Sequence, residues 1–317
     1  MGAIHQKRIG RFEIDYEVGA GGLGKVYRAV DTETGRVVAV KVLHEKYQKS
    51  KRFLGIFHRE LLIVSRLKHK HIVEYIEANY KPPNCYIVSE FIDGWSLHRL
   101  IKHYKKMPPL IALSIAIDIL QGIDYLHLHD TIHSDLSSPN VMIARNGRVL
   151  VTDFGLSCNG EFENYKNYMI GTPGYYSPEH VTDAAIQTQS DLYCVGLLLF
   201  EMIAGEKAVK ATKHREEILP AMRSIDFSKI RCSERRLQSL IRSLLKKSLA
   251  FRINKRFQSA EIMVYEIFKI LKKYEIRYAR HAIHQFLGET GLSLPIPAKY
   301  KQEIDQGFIP VDEDPAD

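Results

Sequence analysis

Between Phe12 and Leu43 short apolar runs alternate with polar turns, the pattern of strands joined by tight connections. Asp31-Thr-Glu-Thr-Gly35 reads as one such turn, and Arg36 to Leu43, rich in valine, as the strand after it. From Phe53 to Leu67 the period changes, and Phe53, Ile56, Phe57, Leu61, Val64 and Leu67 fall on one face of a helix. Cys85 to Ile92 returns to strand, and Asp93-Gly94 breaks it. Residues 109–129, rich in Ile, Leu and Ala, predict a long helix. Ser190-Asp191 opens another that is apolar nearly all round through Ala204, so it belongs in a core, and Gly205 ends it. Residues 234–249 and 259 to about 287 predict further helices. A strand-rich start followed by a helical remainder predicts an α+β chain with a small β lobe and a larger helical one, the passage lying between Ile72 and Ile92.

Three places in this pattern carry chemistry. Gly19-Ala-Gly-Gly-Leu-Gly24 is followed by Lys25 to Val30, which reads as strand. A dinucleotide-binding fingerprint needs a helix there, so the loop is a hairpin instead. Glu60 lies inside the apolar stripe of the first helix. A carboxylate on a buried face needs a cation, and Lys41 is the candidate; the other reading puts Glu60 at the edge of the stripe in solvent. Asn146-Gly147 between Val141-Met-Ile-Ala144 and Val149-Leu-Val-Thr152 is a strong hairpin signal. That hairpin brings Asn140 and Asp153 together, two oxygen-bearing groups suited to a hard cation.

Composition changes little. A chain of 317 residues is long enough for about two domains. The formal charge of +8 comes from scattered Lys and Arg, not from one basic arm, so it reads as solubility and no specific nucleic-acid binding is expected. Cys85, Cys158, Cys194 and Cys232 lie far apart without zinc spacing, which fits a reducing interior and not a disulfide framework. The apolar runs Ile111 to Leu120 and Cys194 to Ala204 are short and interrupted for a bilayer span, there is no secretory h-region, and Gln6 breaks the myristoylation pattern. No membrane association and a cytoplasmic location are therefore expected.

The order of short motifs carries more. Gly19 to Val26, Val38-Ala-Val-Lys41, Glu60, His133-Ser-Asp135 through Asn140, Asp153-Phe-Gly155, and Gly171-Thr-Pro173 to Ser177-Pro-Glu179 follow one another along the chain. In this order they resemble a eukaryotic-type (Hanks-type) serine/threonine protein kinase, some bacterial members included. The resemblance implies a bilobal protein-kinase-like fold. Residues 1–10 would be an N-terminal extension, 11–272 the kinase domain with its small lobe over about 11–92 and its large lobe over about 93–272, and 273–317 a C-terminal extension. It implies ATP with magnesium, manganese being the substitute, and protein substrates, and it leaves room for a regulatory protein partner.

The resemblance also assigns roles. Asp135 would be the catalytic base, Lys41 would meet the α- and β-phosphates with Glu60 holding it, and Asn140 and Asp153 would hold the metal. Val18, Gly19, Gly21, Gly24, Val26, Ala39 and Met142 would enclose the nucleotide, with Ser89, Glu90 and Ile92 along the adenine edge. Ser89, where a bulkier gatekeeper is common, would leave space behind adenine for bulky ATP analogues. His133 would pack on Phe154, Asp191 would brace the catalytic loop, and Arg256 would pair with Glu179. Thr172 in its Gly-Thr-Pro-x-Tyr context resembles serine/threonine kinases more than tyrosine kinases.

Two positions depart from the family. The arginine before the catalytic aspartate is Ser134, so activation through a phosphate on Ser157, Tyr165 or Tyr168 should be weak or absent. The lysine two residues after it is Ser137, and the tyrosine-kinase alternative four residues after it is Pro139. The missing cation raises two rival readings: a pseudokinase that binds nucleotide as a scaffold, and a small-molecule kinase of the aminoglycoside or choline type. The Gly-Thr-Pro-x-Tyr to Pro-Glu segment argues against the second. The stretch from Lys272 to Leu287 could prolong a helix and dock on the large lobe.

Overall fold

The computed structural model describes residues 8–21, 23–157, 171–182, 184–212, 214–275 and 279–289. The amino-terminal part forms a six-stranded antiparallel sheet of β1 (Arg8–Ile9), β2 (Phe12–Ala20), β3 (Gly24–Asp31), β4 (Val37–Leu43), β5 (Tyr75–Asn79) and β6 (Tyr86–Glu90), in the order β1-β2-β3-β4-β6-β5. Phe12, Ile14, Ala29, Val38, Val40, Tyr86 and Val88 form a core cluster of this sheet, as the period-two pattern requires. The pair Arg8–Ile9 joins the sheet ahead of the expected boundary at residue 11, so Lys41 sits on the fourth strand.

Helix α1 (Lys51–Val64) buries Ile56, Phe57, Leu61 and Val64 together with Glu60. The stripe continues to Leu67, but the helix does not: Arg66 and Leu67 bond to carbonyls three residues back, a tightened last turn that keeps Leu67 buried. Likewise β6 stops at Glu90, and the next three residues lead to the second half of the molecule.

That half begins with β7 (Gly94–Ser96) and α2 (Leu97–Tyr104), whose N-terminus Ser96 caps by accepting from the Arg99 N–H at 3.3 Å. Helix α3 (Pro109–Leu128) follows. Strands β8 (Val141–Ala144) and β9 (Val149–Val151) pair as the expected hairpin, with β7 on the outside of β8. Gly147 turns it at φ 81°, a left-handed conformation that glycine adopts freely. The short α4 (Pro178–Thr182) precedes α5 (Thr188–Ala204), which is buried almost throughout and ends at Gly205, φ 78°. Its start lies two residues before the expected one, because the Gln187 and Ser190 side chains bond reciprocally to each other's backbone N–H. Helices α6 (Arg215–Arg223), α7 (Arg235–Ser248), α8 (Ala260–Lys273) and α9 (Ala279–Glu289) complete the lobe.

Among the described residues one helix, α3, is long and apolar enough to cross a membrane, and 67% of its apolar window is buried inside the fold. It packs against α5, α8 and α9 and is the core helix of the large lobe. The helical pattern over 259–287 is two helices: Glu275 takes φ 59°, and the chain resumes as α9. Helix α9 docks on α3, burying Ile283 and Leu287 and setting Phe286 4.9 Å from the Tyr104 ring. Cys85, Cys194 and Cys232 are free thiols; Cys158 lies outside the described residues.

Candidate active site

The glycine loop is a hairpin, with Gly19 opposite Val26 and Ala20 opposite Lys25. Gly21 N–H closes it onto the Gly24 carbonyl at 2.8 Å. A Cβ on Gly24 would lie 2.2 Å from the Val42 carbonyl oxygen, so the neighbouring strand forbids any side chain there. Gly19 meets nothing within 4 Å and Gly21 meets only the Gly24 carbonyl, at 3.9 Å. Packing among the described residues therefore does not require glycine at positions 19 and 21. Gly22 lies outside the described residues.

Strand register sets the wall beside this loop. Val26 pairs with Lys41, Arg28 with Ala39, and Ala39 with Ser89. Val18 on β2 is half exposed, Met142 on β8 sits between Ser96 and Leu150, and Ile92 is partly buried. The Glu90 N–H is taken by the Glu74 carbonyl at 2.9 Å, so its backbone has only the carbonyl to offer a ligand.

Lys41 joins the two lobes. Its Nζ donates to Glu60 Oε1 at 2.7 Å and to Asp153 Oδ1 at 2.9 Å. Burial pulls the ammonium pKa down, but the charges of Asp153 and Glu60 more than offset it and the net shift is upward. Glu60 is raised, chiefly by burial, whereas Lys41 holds Asp153 low against the same desolvation. Of the two carboxylates, Asp153 carries the settled charge. Asp153 takes φ 64°, uncommon for a residue with a Cβ and typical of a functional position.

The catalytic loop is held from several sides. Asp135 Oδ1 accepts the Thr172 N–H at 2.8 Å, and Asn140 Nδ2 donates to Asp135 Oδ2 at 3.1 Å and to its carbonyl at 2.9 Å. Burial raises the Asp135 carboxyl above the ordinary carboxylate range, and the Thr172 bonds only partly counter it. The Asn140 carbonyl accepts the Thr152 N–H at 2.9 Å, which brings Asn140 next to Asp153 as the hairpin reading expects. His133 lies 5.3 Å from the Phe154 ring. Asp191, fully buried, accepts the N–H groups of His133 (2.9 Å) and Ser134 (3.0 Å) and a bond from His127 (2.9 Å). Arg256 grips both oxygens of Glu179, at 2.9 and 2.7 Å.

The departures have structural consequences. Ser137 is fully buried, and its hydroxyl has no hydrogen-bond partner among the described residues, so it does not project as a lysine would. Ser157 is fully buried and donates to the His133 carbonyl at 3.1 Å. It serves the catalytic loop, and replacing it would disturb that loop whatever the role of phosphorylation. Tyr165 and Tyr168 lie outside the described residues.

Sequence reasoning missed other contacts. Arg148 pairs with Glu90, and Arg145 donates to the Asp93 carboxylate at 3.2 Å and through its N–H to the Asp93 carbonyl at 3.0 Å. The hairpin turn thereby grips both ends of the linker between the lobes. On the other side of that turn a Cβ on Gly147 would stand 2.7 Å from the Arg280 carbonyl of α9. Arginines flanking Asn-Gly were the available signal. His180 was also missed, and no pattern pointed to it.

Comparison with known proteins agrees with this geometry. A protein kinase domain family model matches residues 12–268. The chain is 34% identical over 222 residues to a probable serine/threonine-protein kinase PknB of Lactococcus lactis, covering 67% of this chain and 35% of that one. It is 32% identical over 225 residues to the serine/threonine-protein kinase PrkC of Bacillus subtilis, covering 68% and 35%. The matches thus span about a third of these relatives' length. The PknI kinase domain of Mycobacterium tuberculosis superposes with a TM-score of 0.66 at 20% identity, over 85% of this chain and all of that one, a likeness of fold. Motif order, lobe architecture and family match agree, and the chain belongs to the protein kinase family, among relatives of the bacterial serine/threonine type.

Proposed function

We propose that this chain transfers the γ-phosphoryl group of ATP to serine or threonine hydroxyls of protein substrates. The observation that carries the reading is the joined state of the site: Lys41 bonds Glu60 and Asp153 at once, while Asp135 is aimed by Thr172 and Asn140. Phosphoryl transfer asks for positioning and charge more than covalent work, and these residues offer both.

Family members use ATP with a divalent metal and act on proteins; magnesium is the specific proposal here, manganese its substitute. The donor set fits: Asn140 spends its amide N–H on Asp135, leaving its oxygen as the cation donor, and Asp153 is a charged carboxylate. Bound there, the metal supplies charge neutralisation on the phosphates. Lys41 meets the α- and β-phosphates, and the bare backbone at Gly19 and Gly21 covers them. Asp135 takes the proton of the acceptor hydroxyl as its oxygen bonds to the γ-phosphorus and the bond to the β-phosphate oxygen breaks. A cytoplasmic location belongs to the same proposal, supported by the buried free thiols of Cys85 and Cys194.

The buried Ser137 hydroxyl is the one observation that favours the scaffold reading, because it leaves the position of the family lysine without a cation. One experiment separates the two. Incubation with γ-labelled ATP, magnesium and a generic protein acceptor should label serine or threonine with the wild type. Asp135→Asn should reduce labelling by on the order of 10²-fold or more while nucleotide binding persists. ATP binding by the wild type without any transfer would overturn the proposal.

A further inference from the structure

His180, on α4, touches the loop that carries the catalytic aspartate. Its Nε2 lies 2.9 Å from the Ser134 carbonyl oxygen, 46 residues away in sequence. Its Nδ1 lies 2.7 Å from Ser177 Oγ and 3.2 Å from the Ser177 backbone N–H. A carbonyl only accepts and a backbone N–H only donates, so the ring carries its proton on Nε2 and accepts through Nδ1. Both nitrogens are used. Burial holds the ring below its ordinary pKa, which agrees with a neutral imidazole.

The accepted carbonyl matters because of the peptide unit it belongs to. Ser134 C=O and Asp135 N–H are the two polar ends of one planar group. The N–H end points to His133 Nδ1 at 3.3 Å, and His133 Nε2 donates to the Thr152 carbonyl at 3.2 Å. Two imidazoles thus hold the two ends of the peptide plane that leads into Asp135. That plane follows Ser134, whose φ of 64° is uncommon for a residue with a Cβ. A left-handed residue persists where its surroundings over-determine it. Asp191 fixes the N–H side of Ser134, and His180 fixes the carbonyl side.

We propose that His180 is a positioning residue for phosphoryl transfer: by donating to the Ser134 carbonyl it fixes the peptide plane before Asp135, and it ties the substrate-docking segment directly to the catalytic loop. This rests on the kinase reading above. The tie runs from the segment after Thr172 to position 134 through neutral groups alone, so it needs no phosphate. Ser177 orients the ring, and Tyr176, 6.3 Å from it between ring centroids, flanks it.

The test is a steady-state comparison of wild type, His180→Ala, His180→Gln and Ser177→Ala, with ATP binding and melting temperature measured alongside. A glutamine amide can donate to the Ser134 carbonyl and accept from Ser177, as the imidazole does. Because small misplacements of a reacting group are costly, His180→Ala should lower kcat roughly 10- to 100-fold with ATP affinity within about twofold of wild type. His180→Gln should recover most of that loss, and Ser177→Ala should lower kcat a few fold at unchanged ATP affinity. If His180→Ala does not fold, the glutamine and Ser177 variants decide: a Ser177→Ala variant with wild-type kcat overturns the role. So does His180→Ala at wild-type kcat, or a glutamine variant as impaired as alanine with ATP affinity falling in parallel. Transfer by the wild type in those cases leaves the kinase reading standing, whereas no transfer by the wild type removes that reading and this inference with it.

Discussion

Two buried carboxylate–cation contacts in this molecule use the same chemistry for opposite ends. Arg256 is closed on every side: its side chain has no exposure, it holds both oxygens of Glu179, and its remaining N–H groups reach the carbonyls of Ala250, Gln189 and Phe251. Lys41 is open. It divides its ammonium between Glu60 and Asp153, the second oxygen of Glu60 has no partner among the described residues, and the Asp153 side chain is 46% exposed. A fully satisfied bidentate pair resists change, and a shared one accepts a new anion. The first therefore fastens the large lobe, and the second is the site we propose meets the phosphates.

The contrast breaks first at the closed pair. Arg256→Met should destabilise the protein by about 3–5 kcal/mol, read from urea unfolding, because Glu179 is left as a buried unpaired charge. A loss below about 1 kcal/mol would mean that the pair fastens nothing. Next, Lys41→Met should lower kcat/KM on the order of 10²- to 10³-fold. It should cost only about 1 kcal/mol in stability, since burial already shifts the Glu60 carboxyl toward its neutral form and the Asp153 side chain is partly exposed. An unfolding loss as large as that of Arg256→Met would erase the distinction.

The smallest effect sharpens it most. Burial pushes the Glu179 carboxyl up, but Arg256 more than offsets this and its pKa is lowered, so its stabilisation is complete above the ordinary carboxylate value and fades as pH falls through the lowered one. Glu60 is shifted the other way by burial, with Asp153 adding and Lys41 opposing. It binds its proton more tightly when folded, so its contribution declines as pH rises from the ordinary value through the raised one. Unfolding followed from about pH 3 to 7 should show the gap between wild type and Glu179→Gln widening with pH. The gap to Glu60→Gln should move in the other direction; parallel slopes would refute the assignment.

What the sequence disclosed follows the same division. Lys41 and Glu60 were legible because a carboxylate stood inside an apolar helical stripe, and Asn140 beside Asp153 because Asn146-Gly147 closes a hairpin. Both are local signals. Arg148 to Glu90 and His180 to Ser134 join residues far apart in sequence and fit no period, so only the folded chain shows them. Element ends moved by a few residues where caps decided them: the tightened turn at Leu67, the reciprocal box at Gln187, and the left-handed Glu275.

The docking of α9 has a practical consequence. The family model's match ends at residue 268, yet among the described residues the packing continues through α9 to Glu289. Removing the last helix would uncover Tyr104 and the Gly147 turn, the same turn whose arginines hold the inter-lobe linker. A chain trimmed after residue 268 would thus expose the apolar surface that Ile283, Phe286 and Leu287 cover and remove the helix packed on the turn beside its own hinge.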